Sequence, residues 1–258
     1  MSVESNTAAA RLDGRVAMIT GSGSGMGRAH AVMMAEHGAD IVVQDIDANT
    51  AEETAQMVRD CGRRALALCY DIADVEQSRQ AIKTIGQELG GVDILVNNAG
   101  LGGKGAKFEE IDETLFTRMI SVHLTGHFFL TQFVLPHMKA QRRGKIINIS
   151  SRWAMTGAAE APHYIACKSA LLGLTKSWAL EFAPWNIHVN AVAPGGVWSD
   201  MVLQSRGEEF IKAMEKTVPL QRWAQPEEYA YVVCFLASSQ ADFFTGQTLS
   251  PNGGSSIV

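Results

Sequence analysis

A parallel α/β fold is the prediction of this sequence, and three observations make it. Short β-branched runs alternate with longer stretches of helical periodicity along the whole chain. A glycine-rich turn follows the first such run and opens the first helical one. The 258 residues, 47% of them hydrophobic, carry no Pro/Ser-rich linker, repeat or charge block, so one large core and one domain over 12–258 are expected. In such a sheet the crossovers are right-handed and ligands collect at the carboxyl ends of the strands.

The elements follow in order. Arg15-Val-Ala-Met-Ile-Thr20 is a short buried strand, and Ala29 to His37 has helical periodicity. Further strands are expected over 40–44, 65–69, 93–96, 145–149, 188–192 and 247–250, and helices over 48–61, 75–89, 113–139, 163–182 and 226–237. Trp198 to Lys216 is a helical lid candidate carrying Met201, Leu203 and Arg206. Residues 1–11 are small and polar, without a charged segment followed by an apolar one, and are expected to be a frayed tail.

Composition narrows the function. No apolar run reaches the eighteen residues of a membrane span, and the net charge of -5 disfavours nucleic acid or an anionic membrane as principal partner. Cys61, Cys69, Cys167 and Cys234 form no C-x-x-C pair or ligand cluster, so a reduced, cytoplasmic protein without metal or disulfide framework is expected.

Between strand and helix lies Gly21-Ser-Gly23-Ser24-Gly25-Met26-Gly27. Glycine lets the backbone turn tightly and approach a pyrophosphate, and a helix N-terminus offers unpaired N–H groups and a positive dipole end. The run fails both G-x-G-x-x-G and the phosphate-loop pattern, and fits T-G-x-x-x-G-x-G from Thr20. Asp45 closes the second strand, eighteen residues after Gly27. An acidic group there accepts hydrogen bonds from ribose hydroxyls and repels a 2′-phosphate, which favours NAD. Ser22 and Ile46 provide no cation for such a phosphate, and Arg28 lies in the helix.

Tyr164 and Lys168 are four apart in a helical stretch, thirteen residues after Ser151. That spacing puts phenol and ammonium on one face, where the cation is expected to lower the phenol pKa by roughly one to three units. A tyrosine so placed exchanges a proton with an alcohol or ketone.

With Asn97-Asn98-Ala99-Gly100 and Pro194-Gly195 added, the motifs in their order closely resemble the classical short-chain dehydrogenase/reductase family, from about Leu12 to Val258. The resemblance implies a single doubly wound Rossmann-type domain with a seven-stranded parallel sheet, and a homotetramer. It implies that Asp71 and Ile72 border the adenine, that Asn98, Ala99 and Gly100 line the cofactor cleft, and that Val197 and Ser199 hold the carboxamide. It implies Tyr164 as general acid/base, Lys168 on the nicotinamide ribose and Ser151 on the substrate oxygen. His123 stands where the family usually has Asn, which supports the proton path by holding a water near the lysine. The histidine, which titrates near neutrality, is a working relay, a packing residue, or a sign of lost activity. His127 is expected in a core or interface, Cys167 as a small buried residue, and Asn252 to make the turn of a frequent Asp.

Substrate choice rests on Ser151, Trp153, His163 and Trp198, which suggest a compact apolar or cyclic alcohol, with Arg152 or Arg206 able to bind an anionic group. The expected activity is NAD-dependent interconversion of a secondary alcohol and a ketone. An acyl-carrier 3-ketoacyl reductase and a non-catalytic dinucleotide sensor are the alternatives.

Overall fold

The computed structural model describes residues 10–102, 106–159, 161–199, 202–203 and 207–257. Its centre is an all-parallel seven-stranded sheet in the order β3-β2-β1-β4-β5-β6-β7. The strands are β1 (Val16–Thr20), β2 (Asp40–Asp45), β3 (Ala65–Cys69), β4 (Ile94–Asn97), β5 (Gly144–Ile149), β6 (Ile187–Val192) and β7 (Thr248–Leu249). The order reverses between β1 and β4, and a crevice opens there at the carboxyl ends.

β1 shows why the sheet is covered on both faces. Ala17 and Ile19 join one buried cluster, while Val16 and Met18 join the other. Side chains alternate along a strand, so a run without polar residues buries both ways. Helices α1 (Gly25–Glu36), α2 (Ala48–Asp60) and α9 (Pro226–Ala237) cover the first face. Helices α3 (Val75–Leu89), α5 (His127–Gln141) and α7 (Pro162–Phe182) cover the second. The shorter α4 (Glu113–Ile120), α6 (Trp153–Thr156) and α8 (Glu208–Glu215) flank the crevice end. Starts are set by local chemistry. Asp47, Asp74 and Asp112 accept from backbone N–H groups of α2, α3 and α4, and Pro162 and Pro226 begin α7 and α9.

Two boundaries differ from expectation. α1 starts at Gly25, inside the glycine run, directly after a turn that is held at Gly23 by Asp45 at the end of β2 and at Gly21 by Asn98 just after β4. The helix expected over 113–139 is broken by a π-helical turn at Ser121–Gly126. A Cβ at Gly126 would lie 2.4 Å from the Ile72 carbonyl oxygen, so the backbone is pressed against the segment that follows β3 there. Such turns are frequent at functional sites.

Met201 and Arg206 of the lid candidate, residues 1–9 of the expected tail, and Val258 lie outside the described residues. Among the described residues no helix is long and apolar enough to cross a membrane.

Candidate active site

At the β1 end, Gly21 and Gly25 adopt φ of 61° and 52°. A Cβ on Gly27 would meet Gly21 O at 2.1 Å, and one on Gly21 would meet Ala99 Cα at 2.8 Å, so both must be glycine. Asn98 ties this turn to β4, its Nδ2 donating to Thr20 O (2.8 Å) and Gly21 O (3.0 Å). The Thr20 hydroxyl accepts from the N–H groups of Asn98 and Ala99. Ser24 precedes α1 without a side-chain cap, so the first N–H groups of the helix, on Gly25, Met26 and Gly27, have no intrahelical partner. A Cβ on Gly25 would find nothing nearer than Ser199 Cβ at 3.9 Å, so the cradle over these donors is open. It fits a dinucleotide pyrophosphate.

Asp45 lies beside this turn. Gly23 N–H donates to its Oδ2 (2.7 Å) and Asp47 N–H to its Oδ1 (3.2 Å). Arg28 bonds to Gly23 O, Thr54 Oγ1 (3.0 Å) and Glu53 Oε2 (2.9 Å), so its guanidinium braces the turn. Ile46, 63% exposed, puts an apolar side chain next to the carboxylate. Asp71 is bound by Arg118 at 2.7 Å from α4, while the Ile72 side chain is buried in the core.

Ser151, Tyr164 and Lys168 converge at the end of β5. The Ser150 hydroxyl donates to Lys168 O (2.7 Å), fastening α7 to the strand end. Lys168, 3% exposed, donates from Nζ to Ile149 O (2.7 Å) and lies 5.7 Å from the centre of the Tyr164 ring. The Tyr164 ring meets His123 edge-on at 5.5 Å and Trp153 edge-on at 6.2 Å.

The expected lowering of the tyrosine pKa is not found in the chain without cofactor. Burial raises the Tyr164 phenol above its ordinary value, and the Ser151 hydroxyl opposes this by hydrogen bonding. The lysine is itself perturbed, since burial brings its pKa down to about 8. The spacing was right for a shared face, but both groups lost solvent on folding, and burial is the first cause acting on each.

His123 also departs from expectation. It does not titrate near neutrality. Burial first, then the charges of Lys168 and His127, push it down to about 2, opposed by its bond with Leu101. His127 is 0% exposed and is brought to about 3 by burial first and then by the charge of Lys168, opposed by a hydrogen bond with the His123 backbone. Cys167 is likewise fully buried.

Two substrate candidates have other surroundings. His163 is 2% exposed and faces the His123 region rather than an open pocket. Trp198 donates from Nε1 to Glu215 Oε1 (2.9 Å), which also accepts from Trp223 N–H (3.1 Å). Those bonds tie α8 to the loop after β6, and the one from Trp223 first, then the one from Trp198, hold the Glu215 carboxyl below its usual range. Trp153 is partly exposed, with the Arg152 guanidinium 5.8 Å from its ring centre.

Pro194 O accepts from Arg152 N–H (3.0 Å), and a Cβ on Gly195 would meet Asn252 Cα at 2.8 Å. Asn252 makes its turn by accepting from Gly254 N–H (3.0 Å) and Ser256 N–H (3.2 Å). Val197 pairs with Ala224, which fixes the loop carrying Ser199.

A buried polar ladder was not foreseen. Asn97 Nδ2 donates to Asn148 Oδ1 (2.9 Å) and Thr131 Oγ1 (3.1 Å), and Asn148 Nδ2 to Thr175 Oγ1 (2.9 Å). It joins β4 and β5 to α5 and α7 beneath the catalytic residues. An asparagine inside each of two apolar strands was the available signal, because a buried amide needs partners.

Residues 21–256 match the family model described as enoyl-(acyl carrier protein) reductase. The chain is 38% identical to cis-4-hydroxycyclohexanecarboxylate dehydrogenase of Sinomonas cyclohexanicum, over 95% of this chain and 97% of that protein. It matches carveol dehydrogenase from Mycobacterium avium in complex with NAD with a TM-score of 0.91 and 32% identity, covering 96% of this chain and 99% of that one. It matches gluconate 5-dehydrogenase from Burkholderia cenocepacia, in complex with NADP and tartrate, with a TM-score of 0.89 and 37% identity, over 96% and 98%. Sheet order, glycine turn and near-complete coverage agree: the chain is an oxidoreductase that belongs to the short-chain dehydrogenase/reductase family.

Proposed function

We propose that this protein is an NAD(H)-dependent oxidoreductase that interconverts a compact apolar or cyclic secondary alcohol and its ketone. The observation that carries the reading is the convergence of Ser151, Tyr164 and Lys168 at one strand end, across from a glycine cradle bordered by Asp45. Bound NAD supplies the hydride acceptor. Tyr164 takes the hydroxyl proton in oxidation and returns it in reduction. Ser151 donates to the substrate oxygen and, through Trp153 N–H (3.3 Å), is held in place. Lys168 Nζ has donors beyond the one it gives to Ile149 O, and these would serve the ribose hydroxyls. Trp153 and the Tyr164 ring meet nearly at right angles, at 84°, and form an apolar corner that suits a compact ring-shaped substrate. The names of two relatives, a hydroxycyclohexanecarboxylate dehydrogenase and a carveol dehydrogenase, support that class.

NAD over NADP is supported by the Asp45 carboxylate, the exposed Ile46 and the commitment of Arg28 to the turn. Asp45→Ala is expected to weaken NAD binding about 10- to 100-fold, the range for losing hydrogen bonds to a charged group. The same change lifts the repulsion of a 2′-phosphate, so the NADH to NADPH ratio of kcat/KM falls with it. An unchanged ratio in the variant counts against the assignment.

A panel of cyclic, aromatic, polyol and anionic secondary alcohols, with NAD reduction followed at mildly alkaline pH, tests the whole reading. No reduction with any of them favours the dinucleotide sensor. A 35% identical relative from Thermotoga maritima that is a 3-oxoacyl-[acyl-carrier-protein] reductase favours a second reading, an acyl-carrier ketoacyl reductase, which NADPH preference and thioester turnover would reveal. One domain over 12–258 with a lid over 198–216, and a cytoplasmic location, belong to the same proposal. So does a homotetramer, supported by the apolar groove between α5 and α7 lined by Leu124, Phe128, Phe129 and Leu174.

A further inference from the structure

Charge does not balance beside the catalytic serine. Arg152 directly follows Ser151, and its backbone N–H donates to Pro194 O at 3.0 Å, which fastens it to the loop after β6. Its guanidinium carbon lies 5.8 Å from the centre of the Trp153 ring, within cation–π range. The side chain is half-buried, and among the described residues no ion pair or side-chain hydrogen bond reaches the guanidinium. An arginine drawn out of water ordinarily has a partner.

The carboxylate that acts on this neighbourhood is already engaged. The Tyr229 hydroxyl donates to Gly196 O at 3.0 Å, in the same loop. Burial pushes that phenol up to about 12, Glu228 adds to the rise, and Arg152 and Arg222 oppose it, so these three charges meet around one hydroxyl. Glu228 takes both terminal nitrogens of Arg222 at 2.6 Å each, and its Oε2 also accepts from Gln225 N–H at 2.9 Å. Two guanidiniums therefore face one carboxylate that is spent on Arg222, and the cation left over is the one next to Ser151. Trp153 connects it to the chemistry, because the indole is the common neighbour of the guanidinium and of the Tyr164 ring, whose centre is 6.2 Å away.

We propose that Arg152 binds a carboxylate of the substrate, carried across a small ring from the carbinol carbon. The inference rests on the alcohol dehydrogenase reading above and narrows its substrate to hydroxy acids whose two functional groups are several bonds apart. The hydroxyl meets Ser151 and Tyr164, the carbon ring lies along Trp153, and the carboxylate accepts two parallel N–H bonds from the guanidinium fork. An α-hydroxy acid does not fit, since adjacent carbons do not reach across the indole from Tyr164 to Arg152. A phosphate ester fits less well than a carboxylate, because a group near the dianion at neutral pH leaves charge that one guanidinium does not match.

Matched substrates test this. With 3-(1-hydroxyethyl)benzoate and its uncharged carboxamide, wild type is expected to favour the acid in kcat/KM, and Arg152→Met to lower the acid-to-amide ratio roughly ten- to a hundredfold, the range for losing a charge-assisted contact. The change is expected in KM, because the contact is made equally in ground and transition states. Arg152→Lys, a point charge without the fork, is expected to restore part of the ratio. The backbone bond to Pro194 O survives either substitution, and a melting curve checks that the fold does too. A wild type that does not favour the acid, or a ratio that Arg152→Met leaves unchanged, overturns the proposal. If wild type oxidises no secondary alcohol, the function reading falls, and binding judges Arg152 instead. In ligand-observed NMR, with and without NADH, cyclohexanecarboxylate is expected to bind wild type more tightly than cyclohexanecarboxamide does, and to lose that advantage in Arg152→Met. Equal binding of acid and amide to wild type overturns the proposal.

Discussion

Tyr164→Phe is expected to reduce kcat for alcohol oxidation by about 10²–10⁴, the usual contribution of a positioned acid or base. The change removes one oxygen and keeps the ring. The edge-on contacts with His123 and Trp153 survive, so the fold and NAD binding are expected to persist. The lost oxygen is the one on which the Ser151 hydroxyl acts. Because burial raises the phenol above its ordinary value, wild-type oxidation is expected to climb with pH well past neutrality, and reduction to prefer lower pH. Steady-state kinetics in both directions, beside a melting curve and an NADH titration, check this. A variant that binds NADH and keeps most of its turnover would show that Tyr164 is not the acid/base.

Lys168→Met is expected to abolish activity and to stabilise the protein. The folded pKa of about 8 lies below the ordinary 10.5, with burial as the first cause. For a lysine shifted down, the unfolded chain binds more protons between the two values, so stability rises with pH across about 8 to 10.5. Below about 8 both states are charged, and the full cost of burying the ammonium is present. That cost is on the order of 3 kcal/mol by linkage, and the lost bond to Ile149 O offsets part of it. A gain of about 1–3 kcal/mol at pH 7 corresponds to roughly 2–4 °C in Tm per kcal/mol for a chain of this size. The gap to wild type is expected to close as pH approaches 10. A variant less stable than wild type at neutral pH would mean that the ammonium is well solvated in the fold. Such a trade is characteristic of groups held for chemistry rather than for stability.

Motifs tied to spacing were legible. The turn from Thr20 to Gly27 could be read because each glycine answers a steric demand that no side chain meets, as the 2.1 Å approach of Gly27 to Gly21 O illustrates. Asp45, the Tyr164 to Lys168 interval and all seven strand positions likewise follow from local pattern. The π-turn at Ser121–Gly126 was not legible, because periodicity continues through it and the close approach of Gly126 to the Ile72 carbonyl joins segments that are distant in the sequence. Nor was the role of Arg118, which meets Asp71 across 47 positions that periodicity does not connect.

What the chain alone determined is which chemical groups are present, at what intervals, and on which strand ends and helix faces. Those follow from the two and 3.6 residue repeats of strand and helix. What only the tertiary structure decided is the state of those groups: a phenol pushed up, an ammonium brought down, His123 held neutral and aimed by the Leu101 backbone, and Trp198 given to Glu215. Protonation depends on solvent removed and on partners brought from distant segments, and neither is written in the spacing of residues along a chain.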